Sequence, residues 1–223
     1  MKLSFLTDTG ERIDPDIDRL ILAGFAGRSS VEVEAHIEEM ARQGVPRPPF
    51  SPMFWPVMPH LVTQAASICV YGPDTSPEVE YVLFAWQSSL YVTVGNDQCD
   101  IEVERELSSE KSKNLCQKIL ASDVSRVDAV LPYWDELRLT LSCNGTVMQD
   151  DRLAVLMRPE TLMEKIAGVD GGGENGRMVF SGTIGSQGSY PAAPYAVTIR
   201  LSDSKRQREI RHDFTVTALS PFS

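Results

Sequence analysis

The spacing of apolar residues changes period twice along this chain. Leu20-Ile21-Leu22-Ala23-Gly24-Phe25 is an unbroken apolar run, the signature of a short buried strand, and it ends in a Gly-rich turn from Gly24 to Gly27. From Ser30 to Gln43 the period becomes helical. Val33, Ile37, Met40 and Ala41 fall on one side, Ser29 and Glu32 have the spacing of a capping box, and Gly44 with Pro46 supplies the stop. Pro46 to Pro59 holds too many prolines for regular structure and reads as a loop. Beyond it the chain is mostly strands. Ala66–Tyr71, Val79–Trp86, Leu90–Val94, Leu137–Ser142, Met178–Gly182, Tyr195–Leu201 and Glu209–Leu219 are rich in Val, Ile, Leu, Phe and Tyr. Two helices interrupt them, at Ser109–Ala121 and Pro159–Ala167. Gly171-Gly172-Gly173 is a loop, because no lysine or helix start follows it as a phosphate-binding turn requires. One early helix followed by many strands predicts an α+β domain on a mixed or antiparallel sheet, with 223 residues forming one unit.

Composition narrows the class of partner. The net charge is -10, from 31 acidic and 21 basic residues, which opposes nucleic-acid binding because that affinity comes from Lys and Arg neutralising phosphates. The densest basic cluster, Lys205-Arg206-Gln207-Arg208, lies between strand-like runs and reads as a solvated turn. The apolar run near Met1 is too short for a signal peptide, and no stretch approaches the length of a membrane span. Cys69, Cys99, Cys116 and Cys143 have neither CxxC pairing nor a histidine at zinc-finger spacing. A cytoplasmic protein with reduced, inert thiols is the expectation.

Candidate chemistry begins at Glu78-Val79-Glu80. On a strand, residues i and i+2 share a face, so the two carboxylates project together and repel unless a cation lies between them or both are solvated at a strand end. Leu90–Val94 is followed by Gly95-Asn96-Asp97-Gln98-Cys99-Asp100. If the two strands pair, Asp97 or Asp100 reaches the same place. Three carboxylates with open positions suit a hard ion such as Mg²⁺ or Mn²⁺ better than zinc, although Asn-Asp after a strand is also ordinary turn chemistry. Lys113 follows closely and can anchor a carboxylate or stabilise a developing enolate, or simply be a surface lysine. His36 and Glu39 share a helical face at i, i+3 spacing, which suits an oriented general base as well as a surface pair.

Taken in order, these segments resemble the fumarylacetoacetate hydrolase superfamily. Leu22-Ala23-Gly24 and His36-Ile37-Glu38-Glu39-Met40 are similar to its N-terminal strand and lid, in which a His and a Glu three residues later activate water. Glu78-Val79-Glu80 and Asn96-Asp97 resemble its metal-binding glutamates and Asn-Asp motif. Lys113 stands at the place of its substrate-contacting lysine. Asn144-Gly145-Thr146-Val147-Met148-Gln149 is similar to its Asn-Gly-x-x-x-Gln turn, and Pro159 to Ile166 to the short helix after it. Phe180-Ser181-Gly182-Thr183 resembles the late strand whose threonine contacts a substrate carboxylate. The likeness runs from about Leu20 to Gly188. Cys99-Asp100-Ile101-Glu102 stands where the family has Arg-Asp, with Arg28 as the candidate replacement, and Ile184 replaces the proline after Gly-Thr.

The resemblance implies a mixed β-roll with a few peripheral helices and a homodimer binding Mg²⁺ or Mn²⁺. Residues 20–60 would form the strand and lid, and residues 61–223 the metal-binding core. It implies catalytic roles for His36, Glu39 and Lys113, substrate contacts from Arg28 and Thr183, and metal ligation by Glu78, Glu80 and Asp97. The expected reaction is hydrolysis of a C–C bond in a small acylpyruvate or β-diketo acid. Decarboxylation of an oxaloacetate-like acid is the nearest alternative, and a binding protein without turnover is the non-enzymatic one.

Overall fold

The computed structural model of the chain describes residues 2–42 and 44–220. Its scaffold follows from the strand Val79–Trp86, apolar but for Glu80 and buried on both faces along nearly all its length. That strand forms a hairpin with Ser89–Asp97 at the centre of a mixed sheet, ten-stranded among the described residues. On one side come Arg177–Phe180, then Arg19–Gly24 in parallel with it, and Met53–Val57 at the edge. On the other side Ser89–Asp97 pairs with Lys118–Leu120 and Asp123–Arg126, and the sheet continues to Phe5–Thr7 and Arg12–Ile13. A second, five-stranded sheet runs in the order Thr146–Arg152, Arg138–Cys143, Tyr195–Asp203, Arg208–Leu219, Ser67–Tyr71.

The alternation of Val79–Trp86 assigns its side chains to two cores. Val79, Tyr81 and Leu83 pack towards the second sheet, among Leu139, Leu141, Ile199 and Trp134. The Tyr81 and Trp134 rings meet edge to face at 5.1 Å. Val82 and Phe84 face the opposite way, with Leu20, Leu22, Met178 and Phe180. Each such side chain, fully withdrawn from water, contributes about 1.5–3 kcal/mol. Glu78 and Glu80 have the parity of Val82 and Phe84, so the carboxylates sit at the end of the second core. The helix Pro159–Ala167 closes the first core with Leu162 and Ile166. Among the described residues no helix is long and apolar enough to cross a membrane.

The α+β class and the mixed-sheet architecture agree with the sequence reading, and three elements differ. The Pro46–Pro59 stretch contains the strand Met53–Val57 and is followed by a short 3₁₀ turn at Pro59–Leu61. Pro56 is tolerated because this is an edge strand, where a missing N–H need not break the ladder. The predicted helix Ser109–Ala121 ends at Lys113, and Lys118–Leu120 is a fully buried strand. Ser89–Asp97 runs past Val94, so Asn96 and Asp97 lie within the ladder instead of in a turn after it. The early helix spans Ser30–Arg42, with Ser29 Oγ accepting the Glu32 N–H at 3.3 Å; predicted Gln43 lies outside the described residues. Asn144 and Gly145 form the two-residue hairpin turn with φ of 48° and 82°. All four cysteines are free thiols, and burial pushes Cys116 and Cys143 up to about 11.

Candidate active site

The hairpin places Glu78 beside Asp97 by backbone bonding alone: Asp97 N–H donates to Glu78 O at 2.9 Å. Side chains then fix the start of the strand. Asn96 Oδ1 accepts the Glu78 N–H and Gln149 Oε1 accepts the Val79 N–H, each at 2.9 Å. Asn96 is in turn held by Gln98, which donates to Thr75 Oγ1 and to the Tyr195 hydroxyl. The result is convergence. Glu78, Glu80 and Asp97 each offer a carboxylate oxygen within 4.8 Å of the others. Asp100, the other carboxylate in reach on sequence grounds, instead caps the Ile101–Glu106 helix by accepting the Val103 N–H at 2.9 Å.

Each carboxylate has a different partner. Glu80, 2% exposed, accepts the Gly182 N–H at 2.8 Å. Gly182 has φ +83°, and a β-carbon there would stand 3.0 Å from Ala23 O, so this donor is aimed by a conformation that only glycine takes easily. Asp97 lies between two ammonium groups: Lys113 Nζ is 2.7 Å from Oδ2, and Lys118 Nζ is 2.6 Å from Oδ1. The Lys118 ammonium, which has three N–H donors, also donates to Gln98 O at 2.6 Å. Asp97 Oδ1 is buried and has the Lys118 ammonium as its partner. Lys113 also donates to Glu78 Oε2 at 2.5 Å. Glu78 is the most open of the three, its side chain 22% exposed against 1% for Asp97.

Burial and crowding decide the protonation preferences. Burial raises Glu78 to about 7, with Asp97 adding to the rise and Lys113 opposing it. Glu80 is pushed well above its ordinary value by burial, then by Asp97 and Glu78. Burial pushes Asp97 the same way, but Lys113 and Lys118 outweigh it and hold Asp97 below the usual carboxylate range. For Lys113 burial favours loss of the proton, yet Asp97 and its other anionic neighbours keep its pKa well above the ordinary lysine value. The fold thus holds two glutamates whose charged forms are disfavoured by burial and by their anionic neighbours. An all-oxygen donor set in that condition fits a hard divalent cation.

The remaining sequence candidates separate. Lys113 joins the carboxylates. Thr183 lies beside Gly182, but its hydroxyl donates to Val79 O and accepts from Gln149 Nε2, both at 2.9 Å, so its proton is committed to the backbone. Arg28 does not join them. Its guanidinium forms a bidentate pair with Asp135 at 2.7 and 2.9 Å and bonds the carbonyl of Leu156, on the Tyr81 side of the sheet. His36 and Glu39 are exposed on their helix, and no hydrogen bond joins them. The His36 ring lies 6.1 Å from that of Phe25, in the turn whose residues Ala23 and Ala26 pack against Gly182. Lys118 was missed because a Lys-Ile-Leu run has no strand alternation to read and was absorbed into a helix. Gln149 was visible in the Asn-Gly-x-x-x-Gln turn, but its clamp on Val79, Thr183 and Ile184 spans 34 to 70 residues.

Comparison with known proteins adds an independent line. Residues 23–214 match the model of a family described as "Protein of unknown function (DUF2848)". No curated protein matches the chain. Among solved structures, a candidate fumarylpyruvate hydrolase from Burkholderia cenocepacia superposes with a TM-score of 0.71 at 16% identity, covering 98% of this chain and 96% of that one. A yeast fumarylacetoacetate hydrolase family protein gives 0.64 at 15%, covering 91% and 94%. The 5-carboxymethyl-2-hydroxymuconate delta-isomerase from Mycobacterium smegmatis gives 0.61 at 13%, covering 96% and 84%. At these identities the likeness is one of fold, and the fold is that of the fumarylacetoacetate hydrolase type.

Proposed function

We propose, from the premise that the chain belongs to the DUF2848 family and has the fumarylacetoacetate hydrolase fold, that it is an enzyme hydrolysing a C–C bond in a small acylpyruvate or β-diketo acid. The observation that carries the reading is the convergence of Glu78, Glu80 and Asp97 beside two buried lysines. Mg²⁺ or Mn²⁺ suits that donor set, and when bound it supplies Lewis acidity to the keto and carboxylate oxygens of an oxo-acid.

The chain's own groups would do the rest. Gly182 fixes Glu80, and Lys118 fixes Asp97. Lys113 brings positive charge to the substrate carboxylate and to the enolate formed when the C–C bond breaks. His36 would take a proton from the attacking water and return one to the enolate carbon once its helix closes over the site. The balance is acylpyruvate plus water giving a carboxylate, pyruvate and one proton. A second reading, decarboxylation of an oxaloacetate-like acid, is favoured by the exposure of His36 and its lack of a bond to Glu39, since that reaction needs no attacking water. The test is turnover of an acylpyruvate and of oxaloacetate with Mg²⁺ or Mn²⁺, in the native protein and Glu80→Gln. Native turnover with loss of at least about 10²-fold in the variant is expected; equal rates in both, or none with either substrate, would overturn the reading.

A further inference from the structure

We infer that Lys113 is a resident cation at the metal seat, which a divalent ion must displace. The inference rests on the metal-site reading above and adds an order of events to it.

The two lysines differ in their attachment. Lys118 belongs to a strand bonded on both sides, to Ser89–Asp97 and to Val62–Thr63. Its ammonium is wholly buried and also held by the Gln98 carbonyl, so it is a fixed part of the wall. Lys113 is the last residue of a five-residue helix outside either sheet. That helix is anchored by other groups: Ser108 caps it, Ser112 Oγ donates to Asp100 O at 2.7 Å, and Asn114 bonds the backbone of Pro56 and Met58. The Lys113 side chain can therefore turn about its four-carbon stem without breaking a ladder or a cap.

Its present position conflicts with an ion. Lys113 Nζ takes Glu78 Oε2 at 2.5 Å and Asp97 Oδ2 at 2.7 Å, oxygens from two of the three converging carboxylates. Mg²⁺ binds oxygen at about 2.1 Å. An ion held by those same carboxylates would lie close beside the ammonium, and the two cations would repel. Charge points the same way. With all three carboxylates ionised, as metal binding requires, the two ammoniums leave one negative charge. Entry of a divalent ion makes the set positive, and repulsion drives out the movable lysine. The way out lies past Glu78, the partly exposed ligand.

The test is calorimetric Mn²⁺ titration of the native protein, Lys113→Met and Glu80→Gln. It is joined by lysine-directed chemical labelling of the native protein, read by mass spectrometry with and without saturating Mg²⁺. Lys113→Met should bind Mn²⁺ at least about tenfold more tightly than the native chain, the scale on which groups touching ligands tune metal affinity. Labelling of Lys113 should rise several-fold with Mg²⁺ while Lys118 stays protected. If native binding depends on Glu80 but Lys113→Met binds equally or more weakly, the resident-cation inference falls and the metal site stands. If Lys113→Met does not fold, the labelling decides: a Lys113 signal unchanged by Mg²⁺ overturns the inference. Absence of binding in all three proteins removes the metal site, and this inference with it.

Discussion

Raising the pH from about 5 to about 8 should destabilise the metal-free protein, and Mg²⁺ should abolish the effect. The magnitude follows from Glu78. Burial, reinforced by Asp97 and opposed by Lys113, puts its folded pKa at about 7, against an ordinary value of 4.5 in the unfolded chain. A carboxyl whose folded pKa is raised gives stability that is fully present below the unfolded value and lost as pH climbs through the folded one. At about 1.4 kcal/mol per pH unit, the gap from 4.5 to about 7 corresponds to about 3 kcal/mol. Glu80 is raised in the same direction and adds to the loss. Asp97, held low, acts oppositely, but its contribution disappears only as pH falls through its depressed folded pKa, below this window. For a protein of this size the Glu78 share alone is roughly 6–12 °C in Tm. Thermal melts in EDTA and in excess Mg²⁺, across that range, measure it. The chain's overall negative charge also grows with pH, so Glu78→Gln is the control that isolates the site. A melting temperature in EDTA that stays flat would refute the reasoning, as would an undiminished slope in Glu78→Gln.

Further outcomes are expected. His36→Ala should lose acylpyruvate cleavage by about 10²–10⁴-fold and any oxaloacetate decarboxylation far less; cleavage surviving within about threefold would make His36 a surface residue. Lys118→Met leaves Asp97 Oδ1 and the Gln98 carbonyl without their buried cation and should cost about 3–5 kcal/mol in chemical denaturation; a loss near zero would mean that Lys113 alone balances Asp97. We also propose that the protein is a homodimer, and light scattering showing a monomer at micromolar concentration would exclude that.

The local parts of this molecule were legible in its sequence. The apolar enrichment of Val79–Trp86 marked a strand, and the i, i+2 spacing of Glu78 and Glu80 put both carboxylates on one of its faces. Ser29 with Glu32 marked a helix start, the likeness of Asn144 to Gln149 to a family motif marked a turn, and Pro159–Ala167 was a helix with the predicted bounds. These features depend on neighbours within a few residues, where backbone sterics and side-chain period act directly. The order of motifs pointed to the fold, which the comparisons bear out.

What the sequence left open depended on partners far along the chain. By strand spacing alone Asp97 and Asp100 were equivalent; in the fold Asp100 is used by a helix N-terminus and Asp97 is enclosed by two lysines. Arg28 looked free until folding set Asp135 beside it, 107 residues away. Met53–Val57 could be a strand despite Pro56 because, among the described residues, no second strand pairs with its outer edge. Lys118, the least exposed charge at the site, lay in a run too short to show its period, and became a wall of the site only when two separate strands paired with it. A buried charge is tolerated only when an opposite charge meets it, and no periodicity in the sequence records which distant residue that will be.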